Sequence, residues 1–128
     1  MKACLLALAL LAVAPAPALA CITFPTVVSI SPGRHAPAVD PSTREIVVTF
    51  SEPMDPDGWS IVAADGGSAP ELAGAPAFSP DGRTARIPVR LAPGATYAFW
   101  LNHGEQRRFR SRDGAPVVPA YVKFHTRR

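Results

Sequence analysis

The sequence is short of cysteine and of charge. Two of its 128 residues are Cys, which excludes a disulfide-dense miniprotein and a Cys-rich zinc module. Charged residues make up 18% of the chain, which is low for a globular protein, and the mean hydropathy is +0.12. Both values argue against a disordered polyelectrolyte. The length allows one ordinary domain and argues against two independent cores.

The first apolar run of the chain is too short to span a membrane, and no later segment is longer. It covers residues 3–14, and twelve residues of helix rise about 18 Å, against about 30 Å of hydrocarbon core. Lys2 precedes the run and the small-x-small triplet of residues 18–20 follows it, as in a secretory signal peptide. We therefore expect a signal peptide over residues 1–20. A single exported domain would then cover residues 21–128, in the periplasm, in the cell envelope or outside the cell.

Cleavage after Ala20 would make Cys21 the first residue of the mature chain. The stretch Ala18-Leu19-Ala20-Cys21 resembles the bacterial lipobox, in which the Cys is acylated and anchors the protein to a membrane. Ala18 and Leu19 stand in the reverse of the order that this motif prefers. The alternative is ordinary cleavage that leaves a free thiol. In either case Cys4 leaves with the signal, so that no intrachain disulfide can form.

Proline content and the spacing of apolar residues both predict strands. The chain has 15 Pro, and each Pro inside a helix costs about 3 kcal/mol. Apolar residues alternate with period two in residues 45–51, 84–91, 95–101 and 120–126, and weaker candidates cover residues 26–31, 59–63 and 77–78. Pro88 falls on the outward face of its segment, which suggests an edge strand. About seven short strands separated by turns predict an all-β fold, an immunoglobulin-like antiparallel β-sandwich.

Four motifs in order resemble the bacterial Ig-like domains of the SbsA/Big_5 type. They are residues 28–33 (VSISPG), 46–55 (IVVTFSEPMD), 91–97 (LAPGATY) and 124–126 (FHT). The resemblance covers residues 25–126. It implies an Ig-like sandwich of the kind that accompanies adhesins, surface-layer proteins and secreted enzymes, without being an enzyme itself.

The third motif ends in Tyr97, and its spacing Leu-x-Pro-Gly-x-x-Tyr suits a tyrosine corner. Such a corner needs a turn that enters a strand and a hydroxyl that bonds to upstream backbone. Between Leu101 and Pro119 the chain departs from the family pattern, because residues 102–112 (NHGEQRRFRSR) stand where the family has a shorter turn.

This departing stretch carries four arginines, Arg107, Arg108, Arg110 and Arg112, with Phe109 between them. Arginine has planar donors that suit carboxylate or phosphate. The four are therefore candidate binding residues for an acidic polysaccharide, a lipid headgroup or an acidic protein patch. The alternative is a solvated hairpin loop whose arginines keep the surface soluble.

Trp100 is a further candidate. It alternates with Phe99 and Leu101, which face inward, so that Trp100 is expected to face outward. An outward Trp is either a platform on which a sugar ring stacks or a satellite contact covered by a loop.

No motif of catalysis or metal binding stands out. The Gly-x-Ser-x-Gly and His-Glu-x-x-His patterns are absent, and His35, His103 and His125 lack the spacing of metal ligands. Removal of residues 1–20 takes away Lys2 and lowers the net charge from +3 to +2, which is too small to imply a nucleic-acid partner. We expect no enzyme, no cofactor, no metal site and no nucleic-acid partner.

Two functions stay open at this point. The first is a monomeric, non-enzymatic module of the cell envelope that binds an envelope protein or a glycan or acts as a spacer. Its contact with a membrane would come only from lipidation of Cys21. The second is a periplasmic copper carrier, because the CopC-type copper proteins share a similar sandwich and a "tFSepv" strand. That family has a His at the mature N-terminus and a late Asp-Gly-His, whereas here Ala115 follows Asp113-Gly114.

Overall fold

A computed structural model describes residues 23–128, which fold into short antiparallel strands joined by turns. The strands are β1 (Val27–Ser31), β2 (Glu45–Phe50), β3 (Ile61–Ala63), β4 (Glu71–Leu72), β5 (Ala77–Phe78), β6 (Thr84–Arg90), β7 (Thr96–Leu101) and β8 (Ala120–His125). Within residues 23–128 there is no helix, and hence no apolar helix long enough to cross a membrane.

The strands form two sheets. The first has the order β1-β2-β6-β4, with β5 also pairing with β6, and the second has the order β3-β7-β8. Every pair of named strands is antiparallel. This confirms the predicted all-β, Ig-like sandwich, with eight strands where about seven were expected. The unpredicted strand is β4, whose two residues are too few to show an alternating pattern.

The core lies where the alternation predicted it. Ile46, Val48 and Phe50 point inward from β2 and are at most 1% exposed. The neighbouring strand β6 and the strands β7 and β8 of the second sheet add further members, which are Ala85, Ile87, Val89, Tyr97, Phe99, Leu101, Val122 and Phe124. Burying each large apolar side chain contributes about 1.5–3 kcal/mol to stability. Residues of both sheets supply this core, so that the two sheets stabilise each other.

The position of Pro88 corrects one prediction. Pro88 lies in β6, a central strand that pairs with β2 on one side and with β4 and β5 on the other, so the expectation of an edge strand is wrong. Its C=O accepts from the N–H of Ala73 (2.8 Å), which means that the missing N–H of Pro88 also faces the β4 and β5 side. There the neighbouring strand is interrupted between β5 and β4. The interruption removes the need for the N–H that proline lacks.

Two buried hydroxyls fix the turn of residues 92–95. The Tyr97 hydroxyl accepts from the N–H of Ala92 (2.7 Å), which confirms the predicted tyrosine corner. The Thr126 hydroxyl donates to the C=O of Ala92 (2.6 Å) and accepts from the N–H of Ala95 (2.8 Å). The third and fourth sequence motifs therefore meet at one turn.

The two edges of the second sheet differ. Residues 35–39 lie along β8, where the N–H of His35 donates to the C=O of Lys123 (2.6 Å) and the N–H of Val39 donates to that of His125 (2.8 Å). β3 forms the opposite edge and pairs, within the described part of the chain, with β7 alone. One edge is therefore covered by backbone and the other is not.

Candidate functional site

Residues 107–112, which we call the arginine segment, run in an extended course after β7. Phe109 and Ser111 are buried, at 0% and 2% exposed, whereas Arg108, Arg110 and Arg112 between and beside them are exposed. Alternate residues of an extended segment point to opposite sides, about 7 Å apart along the chain. The structure therefore places these three arginines on one outward side. Arg107 is exposed at the start of the segment.

The buried side chain of Asn102 fixes the backbone of the arginine segment from the interior side. This side chain is fully buried, and its Nδ2 donates to the C=O of Phe109 (2.9 Å) and to that of Val117 (3.2 Å). Its Oδ1 accepts from the N–H of Phe109 (3.0 Å). The backbone of Asn102 has φ of 60°, in the left-handed region that Asn tolerates better than most residues.

The sequence analysis did not single out Asn102. The available signal was an Asn directly after an alternating strand and shortly before Gly104. That position favours a change of chain direction through the left-handed region.

The chain after β2 also fixes the arginine segment. The N–H of Asp55 donates to the C=O of Arg110 (2.8 Å), and the N–H of Arg112 donates to that of Pro53 (3.1 Å). Met54 and Ser111 form the bridge between these bonds. The second sequence motif therefore continues past its strand as the partner of the arginine segment.

The ring of Phe109 anchors the arginine segment in the core. It packs on Phe50, with ring centroids 5.7 Å apart, and on the edge of Phe78, at 6.5 Å. One tight turn precedes the segment, where the backbones of His103 and Gln106 bond to each other (2.8 and 2.9 Å), and a second one ends it, where the N–H of Gly114 donates to the C=O of Ser111 (2.9 Å). The backbone of the arginine segment is therefore fixed in place while its guanidinium-bearing side chains stay exposed, which agrees both with a binding role and with a solvated hairpin loop.

Backbone carbonyls orient some of the guanidinium groups. The Nε of Arg110 donates to the C=O of Arg107 (2.9 Å), and the Nε of Arg107 donates to the C=O of Gly104 (2.5 Å). Each of these bonds uses one of the five N–H donors of a guanidinium. The Nη2 of Arg112 lies 3.5 Å from the C=O of Pro80, in a neighbouring turn.

Asp81 stabilises that neighbouring turn. Its Oδ1 accepts from the hydroxyl of Ser79 (2.6 Å) and from the N–H of Arg83 (3.0 Å). These two bonds hold the pKa of the Asp81 carboxyl below its ordinary value, the Ser79 hydroxyl being the larger cause. The carboxylate thus stays ionised and keeps the turn beside Arg112 closed.

Arg108 faces a cleft of about 650 Å³ along β3. Residues 59–63 line the cleft together with Gln106 and Arg108. The N–H of Arg108 donates to the hydroxyl of Ser60 (2.9 Å), and Gly58 packs so closely on the C=O of Arg108 that a side chain at position 58 would collide with it. The backbone of Arg108 is therefore held against the beginning of β3.

Trp100 lies apart from the arginine segment. It is half-buried on the outer face of the second sheet, with the ring of His103 at 4.8 Å and that of Tyr121 at 5.2 Å. It lines two clefts, of about 480 and 400 Å³, and neither of them is lined by an arginine of the segment. Trp100 and the arginines thus do not form one site.

The possible metal ligands of the described residues lie apart from one another. Within residues 23–128 no group of three or more His, Cys, Asp or Glu side chains comes together. His103 packs on Trp100, and the Nδ1 of His125 lies 2.8 Å from the hydroxyl of Thr96. Cys21, the candidate for lipidation, lies outside the described residues.

Comparisons with known proteins agree with this architecture. The bacterial Ig-like domain family matches residues 22–116. A search of curated proteins found no match. Among solved structures, the S-layer protein SbsC is 20% identical with a TM-score of 0.52, over 82% of this chain and 14% of that one.

A second structural neighbour is CopC from Methylosinus trichosporium OB3b. It is 17% identical with a TM-score of 0.59, over 80% of this chain and 93% of that one. The chain thus spans nearly all of this CopC but only about a seventh of the S-layer protein. Identities this low establish a shared sandwich and no more.

Proposed function

The chain belongs to the bacterial Ig-like domain family, and from this premise we propose that it is a non-enzymatic module of the bacterial cell envelope that binds an acidic partner. The partner is a protein or a glycan that carries carboxylate or phosphate groups. An envelope setting agrees with the apolar leader of residues 1–20 and with the structural similarity to a surface layer protein.

One observation carries the binding role. Arg108, Arg110 and Arg112 project from one side of a segment whose backbone is held by Asn102 and by the chain after β2. A fixed backbone lowers the entropy that side chains lose on binding, and guanidinium groups bind carboxylate and phosphate in pairs of parallel hydrogen bonds. Such a row suits a repeating anion or an acidic strand.

A charge-matched pair of variants tests this role. We expect the triple substitution Arg108→Ser, Arg110→Ser and Arg112→Ser to weaken binding to polygalacturonate or polyglutamate by about tenfold or more, since each bond to a charged group is worth about 1.5–3 kcal/mol. The control changes Arg44, Arg86 and Arg90 to Ser, which removes the same charge from the other sheet. Equal losses of affinity in both variants would mean that net charge alone causes the effect. Binding at the wild-type level by the first variant would refute the binding role.

Intact mass of the processed protein tests the envelope setting. Diacylglyceryl-modified Cys21 in the membrane fraction would identify an anchored lipoprotein, and an unmodified chain that starts at Cys21 in the soluble fraction would identify a free module. A chain that keeps residues 1–20 in the cytoplasmic fraction would refute export.

The copper-carrier alternative rests on the similarity to CopC, since residues 23–128 offer no converging donor set. Titration of the full chain with Cu(II) decides it. Binding tighter than micromolar would support the carrier, and its absence would leave the envelope module as the proposal.

A further inference from the structure

β3 presents, on its outer side, backbone groups that have no backbone partner within residues 23–128. The N–H of Asn102 donates to the C=O of Ser60 (3.2 Å), and the N–H of Ala64 donates to that of Ala98 (3.0 Å). In an antiparallel pair the hydrogen-bonded positions alternate along a strand. The backbone groups of Ile61 and Ala63, in between, therefore point away from β7.

These groups form a site for strand pairing. Within residues 23–128, β3 has no second strand partner, whereas the outer side of β8 is bonded to residues 35–39. Two N–H and two C=O groups in alternation are the pattern that an added strand satisfies. The cleft of about 650 Å³ lies along the same residues, so that space for the added strand is present.

Arg108 gives this edge a charge preference. It lines the cleft beside β3, with its backbone fixed by Ser60 and Gly58. Among the described residues, no acidic side chain lines the cleft. A second copy of this chain, pairing β3 with β3, would bring two Arg108 side chains and two positively charged domains together, which disfavours it.

We propose that the open edge of β3 accepts an extended acidic segment of a partner protein as an additional strand, with a carboxylate of that segment at Arg108. This deepens the proposed function and rests on it, because it makes the acidic partner a polypeptide. Backbone pairing with Ile61 and Ala63 would supply affinity, and Arg108 would supply selectivity.

Amide hydrogen exchange on the full chain tests the proposal. The probe is a synthetic peptide of alternating threonine and valine with a glutamate at each end, so that either strand direction brings a carboxylate to Arg108. We expect saturating peptide to slow exchange of the Ile61 and Ala63 amides by about tenfold or more. The amide of Ala64, already bonded to Ala98, is the internal control and should not change.

Two substitutions separate the backbone from the charge. Ala63→Pro removes an outward N–H while keeping the bonds to β7, and Arg108→Glu reverses the charge at the cleft. Each should weaken peptide binding by about tenfold or more. Arg90→Glu, which changes an exposed arginine of the other sheet, should leave it within about twofold.

Three results would overturn the proposal. In the first, the peptide binds without slowing the Ile61 and Ala63 amides. In the second, the peptide with lysine in place of glutamate binds equally well. In the third, both amides are already slow in the free chain while sedimentation shows a dimer. If polygalacturonate still binds in an arginine-dependent way under any of these results, the proposed function stands and only the strand addition fails.

Discussion

The 92–95 turn and the arginine segment are fixed by the same kind of hydrogen bond, but one matches the family pattern and the other does not. In both, buried polar side chains bond to backbone groups, Tyr97 and Thr126 in the turn and Asn102 in the segment. The turn belongs to motifs that resemble the family, whereas the segment lies where the sequence departs from that resemblance. The comparison shows that a stretch that departs from the family pattern need not be a loose loop. Its backbone can be held as firmly as that of the stretches that match the pattern.

Removing the ring of Phe109 should have the largest effect, because this ring is fully buried and packs on both Phe50 and Phe78. We expect Phe109→Ala to lower the free energy of unfolding by about 3–5 kcal/mol, as measured by urea denaturation. The matched control is Phe24→Ala at a side chain that is 57% exposed, which should change stability by less than about 0.5 kcal/mol. Similar values for the two variants would mean that Phe109 is not a core residue.

Asn102→Ala should destabilise the chain by about 2–3 kcal/mol. The substitution leaves the buried N–H and C=O of Phe109 without this partner and puts Ala in the left-handed region. Asn102→Gly tolerates that backbone and should recover about 1 kcal/mol of the loss in the same measurement. If Ala and Gly are equivalent, backbone strain contributes nothing and the hydrogen bonds account for the whole effect.

Tyr97→Phe should cost about 1–1.5 kcal/mol, less than Asn102→Ala, because it removes one hydrogen bond at a partly buried turn. Thermal unfolding can measure the loss. Tyr121→Phe removes the same hydroxyl from a half-buried side chain on the outer face and should change stability by less than about 0.5 kcal/mol. A loss for Tyr121→Phe as large as that for Tyr97→Phe would contradict the tyrosine corner as the cause.

The smallest effect concerns the turn beside Arg112. Because the pKa of Asp81 is lowered in the folded chain, its contribution to stability is present above the unfolded pKa of about 3.8 and disappears as pH falls through the lower folded pKa. Asp81→Asn should therefore destabilise the chain at pH 7 and have less effect at about pH 3. Asp65→Asn, at an exposed position, controls for the change of charge. An equal loss for Asp81→Asn at both pH values would rule out ionisation as its source.

The faces of the long strands could be predicted from the sequence because their period is local. Ile46, Val48 and Phe50 needed nothing beyond their spacing to be placed inside. The position of Pro88 could not be predicted, because whether a strand lies at an edge depends on its partners, and here those partners are interrupted beside the proline.

The sequence predicted which residue types the candidate site contains, but not how they are arranged. The arginines are evident in the sequence, but their common side depends on bonds from Asn102 to Phe109 and Val117, seven and 15 residues away. The open edge of β3 depends on the order of three strands that are distant in sequence. Local pattern contains neither piece of information, although the departure from the family pattern does mark the stretch in which the arginines lie.

The cover along β8 has a consequence for assembly. A filament of Ig-like domains that grows by edge pairing needs two complementary edges on every subunit, so that the outgoing edge of one copy meets the incoming edge of the next. Among the described residues, 35–39 occupy one of these edges in the second sheet, and the edge at β3 is the one left open. Through this sheet, residues 23–128 can therefore end a chain of strands but offer no second edge to continue it.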